Sequence, residues 1–318
     1  MMIIGTRGSA LALAQANLVA KLLKDNGIET TQTIIKTTGD TFTDRPLHEV
    51  AGVGAFVREL DDRMIAGEID IAVHSMKDLP TVRPPELAIA AVLKRDSPLD
   101  VLVTCDGKGL YDLAEGAVVG TTSMRRTAQL KRVRPDLVVK DLRGNINTRL
   151  RKLNEGQYDA IFMAKAGLQR MGWDHIMALS SELDADDFVP SANQGTIVIV
   201  TRKGTAAEEA VKFLDHKQTR TETEIERILI TEVGGGCIVP IGSFAEYEDD
   251  AIDADDATVR IRAEVLSLDG LKVVRIDESI SLKDYAVEAG KLGRSLVEMG
   301  GKELVEDAVR ILGATRNG

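Results

Sequence analysis

The chain has 318 residues, of which 44% are hydrophobic, 28% are charged and only 3% are aromatic, and its formal net charge is -10. At roughly 150 residues per domain, this length predicts two or three compact domains with mostly aliphatic cores. The negative charge argues against a nucleic-acid or anionic-membrane partner, because either requires a basic surface, so any anionic ligand must meet a local cluster of cations.

The N-terminal segment MMIIGTRGSALALAQANLVAKLLKDNG carries no basic leader, and its apolar residues have helical spacing. Later segments contain no run of the ~20 apolar residues that a membrane span needs. We therefore expect a soluble, cytoplasmic protein with no membrane partner.

Short β-branched segments alternate with amphipathic helical segments through the first half of the chain. The strand MIIGT precedes the helix SALALAQANLVAKLLKDNG, and a second series of such pairs begins near residue 98. This alternation predicts an α/β fold with mostly parallel sheets. The later strand GTIVIVTR (195–202) is predicted to cross back to the first sheet, which gives two interleaved α/β lobes with a cleft between them.

From about residue 218 the pattern changes to α+β. A predicted helix ends at three glycines. Two alternating strands around the turn LSLDGLKV follow it, and two amphipathic helices come after them. The predicted domains are residues 1–95 with 192–213, residues 96–191, and a small third domain over residues 214–318.

Arginines recur where predicted strands end, which is where ligands of open α/β sheets bind. With their polar neighbours they are Arg7, Ser9, Thr121, Thr122, Ser123, Arg125, Arg126, Arg143, Gly144, Arg149 and Arg170. Ser9 can also cap the helix that follows it. Arg125 and Arg126 lie in the first turn of a predicted helix, where a cation costs about 0.3 to 1 kcal/mol without a nearby anion. Any one arginine fits a solvated surface, but the recurrence favours a ligand with several carboxylates or phosphates.

The segment DIAVHSMKDLP (70–80) brings Ser75, Lys77 and Asp78 out of a nearly apolar strand. These residues fit a capped strand end. Alternatively, Asp78 accepts hydrogen bonds from a substrate N–H, offsets a developing cation or transfers protons. The local sequence does not separate these roles.

Cys237 lies in VGGGCIVPIG, behind three glycines. It fits either a small buried residue or, because the glycines leave the sulfur unshielded, a nucleophile or covalent attachment point. A cysteine hydrolase is disfavoured because no histidine has a comparable setting. The only other cysteine is Cys105, and four scattered histidines lack metal-ligand spacing, so neither a disulfide framework nor a metal site is expected. Nucleotide-binding glycine motifs are absent from the sequence.

The ordered set IGTRGSALALAQA, GAFVREL, DIAVHSMKDLP, GTTSMRRTAQL, LRGNINTRL, YDAIFMAKAGLQRMG, NQG and GGGCIVPIG resembles the hydroxymethylbilane synthase (porphobilinogen deaminase) family. The resemblance runs from about residue 3 to 245. It implies two lobes like those of a type II periplasmic binding protein, plus a small α+β C-terminal domain. It also implies a transferase of tetrapyrrole biosynthesis that joins four porphobilinogen molecules head to tail, loses one ammonia per step and releases a linear tetrapyrrole by hydrolysis. We expect a monomer, because the sequence of this hinged three-domain enzyme shows no obvious exposed apolar face.

The resemblance further implies a dipyrromethane cofactor attached to Cys237 by a thioether. Asp78, with Lys77, would be catalytic, hydrogen-bonding pyrrole N–H groups and stabilising the cationic azafulvene. The implied cofactor-binding residues are Ser75, Lys77, Asp78, Thr121, Thr122, Ser123, Arg125, Arg126 and Gly144. The implied substrate-binding residues are Arg7, Ser9, Arg58, Arg143, Arg149 and Arg170.

Two positions depart from the family pattern. Val53 replaces a usual lysine between two glycines, with Arg58 as the nearest basic substitute, and Asn193 replaces a usual glycine, although asparagine tolerates positive φ. The alternative hypothesis is a non-catalytic polycarboxylate-binding module of the same two-lobed fold, which would not need Cys237.

Overall fold

A computed structural model gives the fold and describes residues 1–37, 57–234, 239–248 and 257–314. The strands of these residues are β1 (Met2–Thr6), β2 (Thr30–Ile34), β3 (Ile71–Ser75), β4 (Leu87–Val92), β5 (Asp100–Thr104), β6 (Val118–Gly120), β7 (Val138–Lys140), β8 (Ala160–Ala164), β9 (Ser180–Glu182), β10 (Ile197–Arg202), β11 (Ile241–Tyr247), β12 (Thr258–Leu266) and β13 (Val273–Ser281). The α-helices are α1 (Ala10–Asp25), α2 (Arg58–Ile65), α3 (Met124–Val133), α4 (Ile146–Asn154), α5 (Lys165–Met171), α6 (Asp174–Met177), α7 (Ala206–Val211), α8 (Lys217–Val233), α9 (Tyr285–Leu296) and α10 (Lys302–Ala314).

The first five-stranded sheet has the order β2-β1-β3-β10-β4. Strands β1, β2 and β3 pair in parallel, whereas β10 is antiparallel to both β3 and β4. The predicted return of the 195–202 strand to the first sheet is therefore confirmed. Helix α1 packs Ala16, Val19 and Leu23 into the core on one side of this sheet. The helix follows Ser9, whose side chain accepts a hydrogen bond from the Ala12 N–H, as the sequence predicts.

The second five-stranded sheet repeats this arrangement with the order β7-β6-β8-β5-β9. Strands β6, β7 and β8 are parallel, and β5 is antiparallel to β8 and β9. Each sheet thus contains one strand that runs against the others. The α/β class with mostly parallel sheets, predicted from the alternating pattern, is confirmed.

The C-terminal part holds a three-stranded antiparallel sheet of order β11-β12-β13, covered by helices that bury Leu229, Ala289 and Leu296. The predicted strands around LSLDGLKV are β12 and β13. Strand β11 was not among the predicted elements, because its alternation begins directly after Pro240 and the glycine-rich segment. The α+β character of this part agrees with the prediction.

Contacts divide the chain into two compact units. The first unit comprises Met1–Asp96, Arg170–Gly172 and Gly195–Arg220, and the second comprises the remaining residues, including the C-terminal sheet. The three predicted domain boundaries stay a prediction. No helix in the described ranges is long and apolar enough to span a membrane.

Candidate active site

In the first unit, the end of β3 presents Asp78. A short 3-10 turn, Met76–Asp78, follows the strand, and the Met76 N–H donates to the Thr196 carbonyl at 2.9 Å. Met76 is buried, whereas Asp78 is exposed and Lys77 is half-buried beside it. The backbone of the turn is therefore bound to the residue that precedes β10. The Asp78 carboxylate remains accessible to a ligand.

Two further predicted residues of the first unit have defined partners. The Ser75 hydroxyl accepts a 2.8 Å hydrogen bond from Nε2 of the buried Gln15. The Ser9 hydroxyl accepts a 3.3 Å hydrogen bond from Ala12. Both hydroxyls thus support local structure, and each has acceptor capacity left for a ligand.

The cations of the first unit differ in exposure. Arg7, which follows β1, is half-buried, and its charge contributes to the lowered pKa of His74. Arg58 begins α2 and is exposed. His74 is fully buried, its Nε2 has no hydrogen-bond partner within the described residues, and its pKa falls to about 3 because of burial and the charges of Arg83 and Arg7. His74 is therefore neutral.

Arg170 lies in α5, and its side chain is bound to the protein. Its Nε donates to Asp96 at 2.7 Å, and one Nη donates to the Gly195 carbonyl at 2.5 Å. Burial lowers the pKa of Arg170, while the charges of Asp96 and Asp78 oppose that shift. Arg170 thus joins the chain segments around residues 96 and 195, and its charge lies near enough to Asp78 to act on it.

In the second unit, hydroxyl groups follow β6 and cap α3. The Ser123 hydroxyl accepts a hydrogen bond from the Arg126 N–H at 3.4 Å, and the Thr121 hydroxyl accepts one from the Ser123 N–H at 3.1 Å. Thr121 is buried, and Thr122 and Ser123 are half-buried. This end of α3 has a positive dipole and two adjacent arginines, an arrangement that favours an anion.

Arg125 and Arg126 share one buried acid. Arg125 donates to Oδ2 of Asp100 at 2.7 Å, and Arg126 donates to Oδ1 at 2.6 Å. Burial by itself raises the pKa of Asp100, but the charges of Arg125 and Arg126 outweigh it, so the pKa lies well below its usual value. The buried Nε of Arg126 has no hydrogen-bond partner among the described residues. Such a donor is costly unless a ligand or water accepts from it.

Arg149, in α4, is a half-buried cation without a carboxylate partner among the residues that the structure describes. Its Nε donates to the Gly144 carbonyl at 2.9 Å, and burial together with the charge of Arg126 lowers the pKa of Arg149 to about 10. Gly144 has a φ of +112°, and a Cβ there would lie 2.6 Å from Cγ2 of Thr148, so the position requires glycine. Two neighbouring cations with few acidic partners form an anion-binding arrangement.

Arg143 lies in the loop between β7 and α4, since β7 ends at Lys140 rather than at Arg143. It forms a 3.3 Å ion pair with the exposed Asp141. An exposed pair of this kind contributes little to stability. Arg143 is thus available to a ligand at small cost.

The predicted attachment residue Cys237 and the departure at Val53 lie outside the described residues. Asn193, by contrast, has a φ of 62°, so the prediction that asparagine adopts the positive φ of this turn is confirmed. Its N–H and side-chain amide both donate to the buried Glu226. The structure's described ranges hold no cluster of histidine, cysteine and acidic side chains that fits a metal ion.

Sequence reasoning missed three polar residues that hold the site arginines. Asp100 is the first residue of an otherwise apolar strand, and this acid within LDVLVTC is the signal that points to it. Asp96 binds Arg170, and Gln129 binds Arg125. The contact of Asp96 with Arg170 joins residues 74 positions apart, so spacing does not reveal it. Gln129 lies four residues after Arg125 on α3, and this helical spacing is a signal that points to the pair.

Comparison with known proteins identifies relatives over nearly the whole chain. Residues 2–210 match the family model "Porphobilinogen deaminase, dipyromethane cofactor binding domain", and residues 221–299 match "Porphobilinogen deaminase, C-terminal domain". The chain is 64% identical over 308 residues to a probable porphobilinogen deaminase of Methanococcoides burtonii, which covers 97% of each chain. It is 41% identical over 310 residues to a porphobilinogen deaminase of Syntrophobacter fumaroxidans, covering 96% of this chain and 97% of that one.

Among solved structures, a nutrient binding protein from Burkholderia cenocepacia bound to methionine overlaps 67% of this chain and 90% of its own at 13% identity, with a TM-score of 0.42. At that TM-score the likeness carries no inference about function.

Proposed function

The chain belongs to the porphobilinogen deaminase family, and from this premise we propose that it joins four porphobilinogen molecules head to tail and then releases the linear tetrapyrrole hydroxymethylbilane. Each addition forms a carbon–carbon bond between pyrrole units and breaks the carbon–nitrogen bond that releases ammonia. Water completes the release of the product. The protein is thus a transferase of tetrapyrrole biosynthesis.

The observation that carries this proposal, beside the family match, is the pair of under-neutralised cations in the second unit. Each pyrrole unit carries an acetate and a propionate, so the growing chain gains two negative charges with every addition. Arg126 has a buried Nε without a hydrogen-bond partner among the described residues, and Arg149 is a half-buried cation near it. In a protein of net charge -10, such a local cluster is what a polycarboxylate ligand requires.

The cofactor-binding domain of the family model fits these residues. When bound, a dipyrromethane group supplies the pyrrole carbon to which the first substrate is joined. We propose that it is attached to the Cys237 sulfur by a thioether. Its carboxylates would be bound by Arg126 and by the hydroxyls and backbone N–H groups at the start of α3, with Ser75 and Lys77 as further polar contacts.

We propose that Asp78 is the catalytic carboxylate. Its exposure leaves the carboxylate accessible to the pyrrole N–H groups of a substrate. Loss of ammonia leaves a positive charge on the substrate, and a fixed carboxylate stabilises that charge more in the transition state than in the ground state. Arg170, which is ion-paired with Asp96, places a guanidinium near Asp78.

The remaining arginines are proposed to bind the substrate carboxylates. Arg149 and Arg143 are the strongest candidates, because their guanidinium groups have few competing acids. Arg7, Ser9 and Arg58 are proposed for the same role in the first unit. Arg170 contributes through its charge, since its hydrogen bonds are directed to Asp96 and Gly195. That the protein is a cytoplasmic monomer stays a prediction.

The experiment that tests this function follows three quantities together in one incubation: porphobilinogen consumed, ammonia released and linear tetrapyrrole formed. We expect four molecules of porphobilinogen and four of ammonia for each tetrapyrrole. A non-catalytic polycarboxylate-binding module would bind porphobilinogen without releasing ammonia, and that result would overturn the proposal.

A further inference from the structure

Asp100 is a fully buried carboxylate to which neither the sequence motifs nor the proposed reaction assigns a role. It begins β5 and has no exposed surface. Its oxygens accept hydrogen bonds from Arg125 at 2.7 Å, Arg126 at 2.6 Å and the Gln194 amide at 2.8 Å. A carboxylate with three donors at such distances is ionised and rigidly held.

The two arginines on Asp100 differ in their other contacts. Arg125 directs its second Nη to the Gln129 side chain and to the Val189 carbonyl, both at 2.9 Å. Gln129 in turn donates to the buried Glu264 at 2.7 Å. Every described hydrogen bond of the Arg125 guanidinium therefore ends inside the protein, so the structure gives no support to a direct ligand contact there.

The Arg126 guanidinium has fewer described hydrogen-bond partners than that of Arg125. Asp100 is the acid that binds its guanidinium, its Nε has no partner within the described part of the chain, and Arg149 lies near enough to repel it. Without Asp100, repulsion from two cations would turn the Arg126 side chain away. The Arg126 guanidinium is thus held in place against an unfavourable force.

We propose that Asp100 is a positioning residue, which together with Arg125 fixes the Arg126 guanidinium in the orientation that binds a ligand carboxylate between Arg126 and Arg149. This inference rests on the proposed function, since the carboxylate belongs to the dipyrromethane cofactor or to the growing chain. Preorganisation strengthens binding because the side chain loses no further freedom when the ligand arrives. Arg125 would then help to hold Arg126 in place, and Arg126 would bind the ligand carboxylate.

The negative charge of Asp100 also opposes the binding of an anionic ligand. A negative charge next to an anion site weakens anion binding, so a carboxylate that served only as background charge would strengthen binding when removed. A test must therefore remove the anchor of Arg126 without changing the local charge. The double variant Asp100→Ala/Arg125→Met does so, because it deletes one buried acid and one buried cation, a replacement that stability often tolerates.

The matched control is Arg134→Gln/Asp136→Asn. It also removes one cation and one acid that form an ion pair at the C-terminal end of α3, at 2.6 Å, and neither residue contacts Arg125 or Arg126 within the described part of the chain. Arg125→Met alone leaves the Asp100–Arg126 pair intact. Asp100→Asn, which keeps the volume of the side chain, serves if the double variant does not fold.

The measurement is the conversion of apoprotein, produced in cells that do not make porphobilinogen, to the covalently loaded form during titration with porphobilinogen. Intact mass gives the loaded fraction, and thermal unfolding gives the folded state. For Asp100→Ala/Arg125→Met, we expect the half-converting porphobilinogen concentration to rise about tenfold. For the control, we expect it to stay within about twofold of wild type. Arg125→Met should show a smaller rise than the double variant, and Asp100→Asn a rise of about threefold.

Equal values for the double variant and the control would overturn the positioning role, as would stronger loading of Asp100→Asn or equal effects of Arg125→Met and the double variant. If wild type gains no mass at all, the proposed function itself fails. The two failures are therefore distinguishable in one experiment.

Discussion

The carboxyl ends of the two five-stranded sheets carry opposite kinds of groups. In the first unit, the exposed acid Asp78 follows β3, and the nearby cation Arg170 is bound to Asp96. In the second unit, the acid Asp100 is completely buried, and the described residues do not fully neutralise the charges of Arg126 and Arg149. The same strand order thus supports an available acid in one unit and available cations in the other. Hydrogen-bond partners among the described residues, rather than burial alone, decide which group holds structure and which is available to a ligand, since Arg125 and Arg126 are both buried.

The largest effect is expected from Asp78→Asn. Turnover should fall about 10²- to 10³-fold, because the neutral amide no longer stabilises the positive charge left when ammonia departs. The free energy of unfolding should change by less than about 0.5 kcal/mol, since Asp78 is exposed. Steady-state kinetics and denaturant unfolding measure the two quantities. Asp62→Asn, at another exposed acid of the first unit, is the control, and equal losses in both variants would contradict the assignment.

Arg149→Met tests whether the incompletely neutralised cations of the second unit bind the substrate. We expect KM for porphobilinogen to rise roughly 10- to 100-fold, the equivalent of one lost charge-assisted hydrogen bond. Stability should not fall, because the variant removes a half-buried cation that Arg126 repels. Arg151→Met, on the same helix but exposed and paired with Glu155, is the control. A loss of stability with unchanged KM would show that Arg149 is structural.

Arg170→Met should behave in the opposite way to Arg149→Met. Asp96 and the Gly195 carbonyl lose their donors, so the free energy of unfolding should fall by about 1 to 3 kcal/mol. Denaturant unfolding of the two arginine variants side by side measures the contrast. If Arg170→Met is as stable as wild type and only KM rises, Arg170 binds substrate directly and the distinction between the two arginines is wrong.

The smallest effect concerns pH. Because burial lowers the pKa of His74 from 6.5 to about 3, the unfolded chain binds more protons than the native protein between those values, and this contribution to stability is lost as pH falls. Asp61 acts oppositely between 3.8 and about 6, since burial raises its pKa. We therefore expect the two contributions to cancel largely in wild type.

In His74→Leu, the contribution of Asp61 to the pH dependence of the free energy of unfolding should no longer be cancelled. The free energy of unfolding of wild type minus that of the variant should rise with pH by up to about 1.4 kcal/mol per unit between pH 4 and 6. Chemical denaturation across this range measures the difference. A difference that does not vary with pH would mean that His74 titrates normally in the native protein.

Sequence patterns predicted the fold class, the return of β10 to the first sheet, the Ser9 cap and the positive φ of Asn193, because each depends on local periodicity or turn chemistry. They also located the arginines at strand ends. They did not separate Arg125 from Arg126, since adjacent residues in one helical turn give the same local signal. The difference comes from the contact of Arg125 with the distant Val189 carbonyl and from its hydrogen bond to Gln129, which Glu264 holds from another part of the chain.

The role of Arg170 shows the same limit. Its place after a strand predicts a ligand contact, whereas its bond to Asp96 joins residues 74 positions apart and is not visible in any spacing. The motif around Cys237 is the reverse case. Its sequence is the most specific signal in the chain, and its role depends on a covalent bond that only chemistry can reveal.

Polymerisation is proposed to begin on a group attached to Cys237, and the intact masses of wild type, Cys237→Ser and Cys105→Ser under denaturing conditions test this attachment. Cys105 is an exposed free thiol of the described chain and serves as the matched control. We expect wild type and Cys105→Ser to be heavier than their polypeptides by one two-pyrrole unit and, after brief incubation with porphobilinogen, to show a ladder of one-pyrrole steps. Cys237→Ser should have its bare polypeptide mass throughout. A bare wild-type mass that porphobilinogen does not change, or an added mass that persists in Cys237→Ser, would contradict the account.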